Sequence, residues 1–153
     1  MSNINPALLV ANNILEDAFK KGYYISPMKL QKLLYFTYKK YIKDTKNPLF
    51  NESFEVWQYG PVLPSVYSEF RNYNKSEIRR YAFFGNDDVL LVSEQHTEIY
   101  MAIDYVLDKY RHYSAIDLSD LTHKDGTAWH KARTRNELYL EDDEIAEEAW
   151  LYE

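Results

Sequence analysis

The sequence contains no cysteine and only four glycines in 153 residues. The lack of cysteine excludes disulfides, thiolate zinc sites and cysteine nucleophiles. The glycines form neither a phosphate-binding loop nor a Gly-x-Ser-x-Gly nucleophile elbow. No apolar run approaches the ~20 residues of a membrane span, and no secretory signal opens the chain. We therefore expect one cytoplasmic domain over residues 1–153 that is not an enzyme and has no cofactor, metal or membrane site.

Aromatic residues, by contrast, are abundant: 15 Tyr, 7 Phe and 3 Trp make up 16% of the chain. Tyrosine joins a large apolar ring to a polar tip, which suits both the rim of a core and a protein-binding surface. Charge is unevenly divided, since residues 1–80 hold 12 Lys/Arg and 7 Asp/Glu, whereas residues 81–153 hold 6 and 17. The acidic half disfavours general nucleic-acid binding. It is either a solvated face or a surface that attracts a basic protein partner.

Apolar spacing and capping residues predict a mainly α-helical domain, a bundle of six or seven helices with a small antiparallel β-hairpin or sheet. Asn5-Pro6 and Ser26-Pro27 each place a capping side chain before a proline, which predicts two helix starts. The second helix, over residues 27–43, is apolar over a wide face, so it should lie in the core. Its polar side should carry Lys29, Lys32, Lys39, Lys40 and Lys43.

Further helices are predicted from the same signals. One follows Pro64 and should bury Tyr67, and a long helix should be capped by Ser93. Three shorter helices are expected: two should be capped by Ser114 and Thr127, and the third should start after residue 141. They should end near residues 121, 135 and 152.

The predicted sheet has three segments. Residues 54–57 are extended but too short to stand alone. Gly85 to Asp88 have the residue types of a tight turn between residues 78–84 and 89–93. We expect all three segments to pair in one antiparallel sheet.

Motifs with chemical meaning are weak in this chain. His123 and His130 are seven residues apart, which is not the spacing of a helical zinc site. Residues 118–135 have the outline of a helix-turn-helix, with three basic residues on the second helix. Against DNA binding stand the acidic surroundings and Trp129, which is expected in the core. A helix-turn-helix regulator remains an alternative.

Three segments carry a family resemblance: MKLQKLLYF (28–36), LFNESFEVWQYGPVLPSVYSEF (49–70) and SAIDLSDLTHKDGTAWHKAR (114–133). Together, in this order, they resemble the Panacea domain family of SocA-like antitoxins and phage-associated GepA-like proteins. The first helix also fits the family, whereas residues 78–93 and the tail after Arg135 fit least.

The resemblance implies a helical antitoxin of a type II toxin–antitoxin system, which binds a growth- or translation-inhibiting toxin encoded by a neighbouring gene. The implied alternative is a proteolytic adaptor that delivers the toxin to the ClpXP protease. Gly60, Pro61 and Gly126 are expected to shape the backbone. The side chains expected to contact the toxin, with core packing as the rival interpretation, are Lys32, Tyr35, Trp57, Tyr59, Thr122, His123 and Trp129.

Overall fold

The structure is a computed structural model that describes residues 4–150. Within this range it contains seven α-helices and one two-stranded antiparallel sheet, which confirms the predicted mainly α-helical class. None of these helices is long and apolar enough to span a bilayer. The elements are α1 (Pro6–Lys21), α2 (Pro27–Thr45), β1 (Glu55–Trp57), β2 (Gly60–Val62), α3 (Pro64–Phe70) with a 3₁₀ turn (Arg71–Tyr73), α4 (Thr97–Tyr110), α5 (Ala115–Thr122), α6 (Ala128–Thr134) and α7 (Asp142–Glu147).

The first two helices begin where the capping residues predict. The Asn5 side chain accepts a hydrogen bond from the backbone N–H of Ala7 at 2.8 Å, and Ser26 accepts one from Lys29. Gly22, with φ 75°, ends α1 in the left-handed conformation. Helix α2 runs two residues past its predicted end.

Helix α2 is the centre of the fold. Every residue from Lys29 to Lys39 is buried, and the helix packs against α1, α3, α4, α5, α7 and β2. A helix covered on nearly all sides must satisfy its polar groups inside the protein. The polar side predicted for α2 is therefore only partly solvent-facing.

The burial of Lys29, Lys32 and Lys39 corrects the prediction that they lie on an exposed polar face. Lys39 Nζ donates to Glu148 Oε2 and to a backbone carbonyl of the C-terminal segment, both at 2.8 Å. Lys43 Nζ donates to the carbonyl oxygen of Ala146, also at 2.8 Å. One lysine of α2 is thus neutralised internally by a carboxylate from the acidic half of the chain, and backbone carbonyls of that half accept further bonds from Lys39 and Lys43.

The sheet differs from the prediction. Strand β1 pairs with β2, with Trp57 opposite Gly60, and not with residues 78–93. The turn at residues 85–88 does form, as an isolated bridge between Phe84 and Asp88, but its flanks form no named strand within residues 4–150.

Side chains of α1 explain why residues 78–92 form no ladder. The Asn12 amide bonds the backbone N–H and C=O of Ala82 and the C=O of Leu90, at 2.7 to 3.0 Å. Asn13 accepts from Val92 N–H at 2.8 Å. These amides take the place of strand partners for the backbone groups of Ala82, Leu90 and Val92.

Two helix ends also differ from prediction. Helix α4 begins at Thr97 without a side-chain cap, so Ser93 does not cap it. Helix α7 stops at Glu147 because Glu148 is extended and turns its carboxylate into the interior. The predicted end at residue 152 lies outside the described residues. The caps Ser114 and Thr127 are confirmed.

Candidate functional site

Residues Trp57 to Pro61, which we name the WQYGP corner, connect β1 to β2. Gly60 has φ 119°, a conformation that L side chains rarely adopt. A Cβ atom there would lie 2.6 Å from Thr122 Oγ1 and 2.8 Å from Lys32 Cε. The glycine therefore lets the corner lie directly against α2 and α5.

Three helices hold the inner side of the corner by its backbone carbonyl groups. Lys32 Nζ on α2 donates to the carbonyl of Pro61 at 3.1 Å, and Ser119 Oγ on α5 donates to that of Tyr59. Trp129 Nε1 on α6 donates to that of Trp57 at 2.9 Å. Because three of its carbonyls are bound by separate helices, we expect the corner to be a rigid platform.

The outer side of the corner presents aromatic rings. Tyr59 is 56% exposed, and Tyr67 on α3 is 40% exposed. The Trp57 ring is half-buried, lies 4.9 Å from the Tyr67 ring and donates its indole N–H to Glu55 at 2.8 Å. We name Trp57, Tyr59 and Tyr67 the aromatic surface.

The polar groups behind the corner are deprived of water. Burial lowers the pKa of Lys32 to about 7. Burial, and then the nearby Lys32 charge, lower the pKa of His123. The Nε2 atom of His123 is buried and has no hydrogen-bond partner within residues 4–150. The His123 ring lies against Trp129, with 4.1 Å between ring centroids.

Comparison with known proteins identifies the family. The model of the family "Antitoxin SocA-like, Panacea domain" matches residues 30–130. The antitoxin SocA of Caulobacter vibrioides (strain NA1000 / CB15N) is 32% identical over 127 residues, which cover 80% of this chain and 68% of that protein. The chain belongs to the SocA-like antitoxin family, with a Panacea domain. No solved structure matches it significantly. Membership supports an antitoxin role in general, and with it a toxin partner and a non-enzymatic activity.

The matched range contains the whole corner and each of the seven residues predicted to contact a toxin. Six of them lie at the corner or directly behind it. Lys32, Thr122 and Trp129 are buried there, while Trp57 and His123 are half-buried and Tyr59 is exposed. That any of these residues contacts a toxin stays a prediction.

The seventh residue, Tyr35, lies elsewhere in the core. It is fully buried, and its hydroxyl donates to Glu148 Oε1 at 2.7 Å. Burial and this carboxylate raise the pKa of Tyr35 well above its ordinary value. Tyr35 thus anchors the C-terminal segment of this antitoxin-family chain.

Tyr67 is exposed, whereas the sequence pattern predicts it on the buried face of α3. Val66 and Phe70 form the buried face of α3, and the Tyr67 ring lies off that face and packs against the Trp57 ring. The sequence signal for this arrangement is the four-residue spacing of Val66 and Phe70, because residues four apart share one helix face and Tyr67 is not on it.

The second helix of the helix-turn-helix outline is α6, and the DNA-binding alternative stays a prediction. Trp129 and Ala132 of α6 are buried. Arg135 is bound by Glu137 at 2.7 Å and by Glu144 at 2.6 and 2.9 Å. Gly126, with φ 87°, supplies the turn before α6. No group of three or more metal-ligating side chains is present in the described part of the chain.

Replacing Lys32 by methionine should change how stability depends on pH. The pKa of this lysine is 10.5 in the unfolded chain and about 7 in the fold. Between these values the unfolded state binds more protons, so wild-type stability rises with pH, by up to about 1.4 kcal/mol per unit. Below pH 7 the cost of the buried ammonium is fully present.

In urea unfolding at pH 6, 7.5 and 9, we expect the free energy of unfolding to rise less with pH for Lys32→Met than for the wild type. The variant should exceed the wild type in stability most at pH 6. The pKa of Lys29 is also lowered by burial, so the free energy of unfolding of Lys32→Met should still rise with pH, but less steeply than that of the wild type. Lys20→Met, on an exposed side chain, is the control and should keep the wild-type slope. Equal slopes for Lys32→Met and wild type would contradict the assignment.

Proposed function

We propose that the protein is the antitoxin of a type II toxin–antitoxin system, which neutralises a toxin encoded by a neighbouring gene through direct binding. The aromatic surface is the proposed binding site. The observation that carries this proposal is the attachment of the WQYGP corner to three helices, within the part of the chain that matches the family.

A rigid aromatic platform suits tight protein binding. Truncating an aromatic anchor at a protein interface commonly costs ~2 kcal/mol or more. Binding through a surface that is already ordered avoids the entropy cost of ordering side chains and loops at the interface. Trp57, Tyr59 and Tyr67 would contact the toxin, and the half-buried His123 would lie at the margin of the contact.

The buried residues of the predicted site have a positioning role in this proposal. Lys32, Thr122 and Trp129 hold or contact the backbone of the corner from inside. Changing them would alter binding by moving Trp57 and Tyr59.

We propose occlusion as the mechanism: the bound antitoxin covers the active or substrate-binding surface of the toxin. The test is co-expression with the product of the neighbouring gene. Growth should be rescued and the two proteins should co-purify; no rescue and no complex would refute the antitoxin function. Rescue that disappears in cells without ClpXP would indicate the adaptor mechanism, because occlusion needs no protease.

Replacing Tyr59 by alanine is expected to weaken toxin binding about 30-fold, which corresponds to ~2 kcal/mol. Because this side chain is largely exposed, stability should change by no more than ~0.5 kcal/mol. The control is Tyr24→Ala, at a tyrosine that is 73% exposed outside the corner. Calorimetric titration with the toxin should separate the variants; equal dissociation constants would place the interface elsewhere.

A further inference from the structure

A short segment beside β1 extends the sheet on the side away from β2. Val56 N–H donates to Leu138 C=O, and Leu140 N–H donates to Phe54 C=O, both at 2.9 Å. Tyr139 forms an isolated antiparallel bridge with Glu55. Strand β1 therefore lies between β2 and residues 138–140.

The outer edge of this segment has free backbone groups. In an antiparallel strand, the N–H and C=O of one residue point to the same side of the strand, and those of the next residue point to the other side. The C=O of Leu138 and the N–H of Leu140 bond β1, so the N–H and C=O of Tyr139 point away from it. Within residues 4–150, no hydrogen bond involves the N–H or C=O of Tyr139.

Two apolar side chains lie at this edge without cover. Leu138 is 60% exposed and Tyr139 is 48% exposed. Exposed strand edges are usually shielded, because they pair readily with other extended chains. Here the free backbone groups of Tyr139 lie beside two exposed apolar side chains, those of Leu138 and of Tyr139 itself.

We propose that this edge receives an extended segment of the toxin, which adds a strand to the sheet next to Tyr139. The inference rests on the proposed antitoxin function and deepens it. The edge is continuous with the aromatic surface through β1, since Glu55 faces Tyr139 and accepts the indole hydrogen bond of Trp57. One toxin contact would therefore span both features.

Charge defines the chemistry of the added strand. The edge is flanked by the carboxylate of Glu55 and, just beyond it, by the exposed Glu141 and Asp143, whereas Glu137 is already paired with Arg135. The neighbouring Arg135 is already bound by two glutamates. A toxin segment that alternates apolar residues with lysine or arginine fits this surface, because β-addition supplies backbone hydrogen bonds while side chains supply specificity.

The experiment compares Tyr139→Pro with Tyr139→Ala. Both variants remove the phenol ring, but only proline removes the outward N–H, while the bonds at residues 138 and 140 can remain. With the purified product of the neighbouring gene, Tyr139→Pro should bind at least ~10-fold more weakly than Tyr139→Ala. Thermal unfolding of both variants checks that each is folded.

Amide hydrogen exchange is the second measurement and needs no variant. In the complex of the wild-type chain with the toxin, the Tyr139 amide should exchange at least ~10-fold more slowly than in the free chain. Neutralising the exposed acids in a Glu141→Gln, Asp143→Asn double variant should weaken binding several-fold and reduce its salt dependence. Unchanged binding of this double variant would overturn the basic character of the segment.

The outcomes separate the two proposals. If the wild-type chain binds the toxin, equal affinity of the two Tyr139 variants together with an unprotected Tyr139 amide refutes only the edge proposal. If the wild-type chain does not bind the toxin, the antitoxin function fails, and the edge proposal fails with it. If Tyr139→Pro abolishes a wild-type dimer while toxin affinity is unchanged, a second copy occupies the edge and the proposal is wrong.

Discussion

Glu148→Gln is expected to lower the free energy of unfolding by about 3–5 kcal/mol. Glu148 is buried, and its carboxylate pairs with Lys39 Nζ at 2.8 Å, with both side chains nearly inaccessible to water. The same carboxylate accepts the Tyr35 hydroxyl at 2.7 Å and the Ala128 N–H at 2.8 Å. One side chain thus ties the C-terminal segment to α2 and to the start of α6.

Glutamine keeps the shape of Glu148 but removes its charge. The buried ammonium of Lys39 then loses the charge of Glu148, and breaking one side of a buried ion pair is costly. Glutamine also brings an N–H₂ group toward donors that the carboxylate accepted from. The loss should therefore exceed that of one neutral hydrogen bond, which is about 1 kcal/mol.

Urea or guanidinium unfolding followed by circular dichroism measures this effect. The matched control is Glu147→Gln, because Glu147 is the exposed adjacent residue and should change stability by less than ~0.5 kcal/mol. The double variant Glu148→Gln, Lys39→Met should recover part of the loss, since an apolar partner removes the buried charge. If Glu148→Gln lowers the free energy of unfolding by less than ~1 kcal/mol, the ion pair does not hold the C-terminal segment in place.

Gly60→Ala should destabilise the protein by about 2–4 kcal/mol and also weaken toxin binding. Part of the loss is backbone strain, since φ 119° is a glycine conformation. The rest is a steric clash, because the new methyl group would lie 2.6 Å from Thr122 Oγ1 and 2.8 Å from Lys32 Cε. Both groups are buried and cannot move into solvent.

The control for strain without a clash is Gly22→Ala. Gly22 also has a positive φ, 75°, but no atom lies within 4 Å of its added Cβ. Its cost should be about 1 kcal/mol, and toxin binding should be unchanged. If Gly60→Ala costs no more than Gly22→Ala, the corner adjusts to the methyl group and is not a rigid platform.

Much of the helical framework could be predicted because its signals are local. Asn5, Ser26, Ser114 and Thr127 each bond a backbone N–H two or three residues away, so the signal and its effect lie within one turn. The family resemblance of the corner, confirmed by comparison, was also readable from the order of three short segments.

The candidate site was only partly predictable. That Gly60 and Pro61 shape a corner follows from their residue types, but which rings face outward depends on neighbours. The sequence pattern predicts Tyr67 in the core, but it lies on the surface, and it predicts Lys32 on a polar face, but it lies inside. The 3.6-residue period identifies the apolar face of a helix, but it does not show which later segment of the chain covers the opposite, polar face.

The sequence by itself determined the helical class, the main cap positions, the absence of cysteine chemistry and the family. Only the tertiary structure decided the partner of β1, the burial of the α2 lysines, the anchoring of the C-terminal segment by Glu148 and the free edge at Tyr139. The physical reason is separation along the chain: the Lys39–Glu148 bond joins residues 109 positions apart, and the Asn12 bonds that replace the predicted sheet span 70 and 78. Such contacts depend on how the helices pack, which no local pattern records.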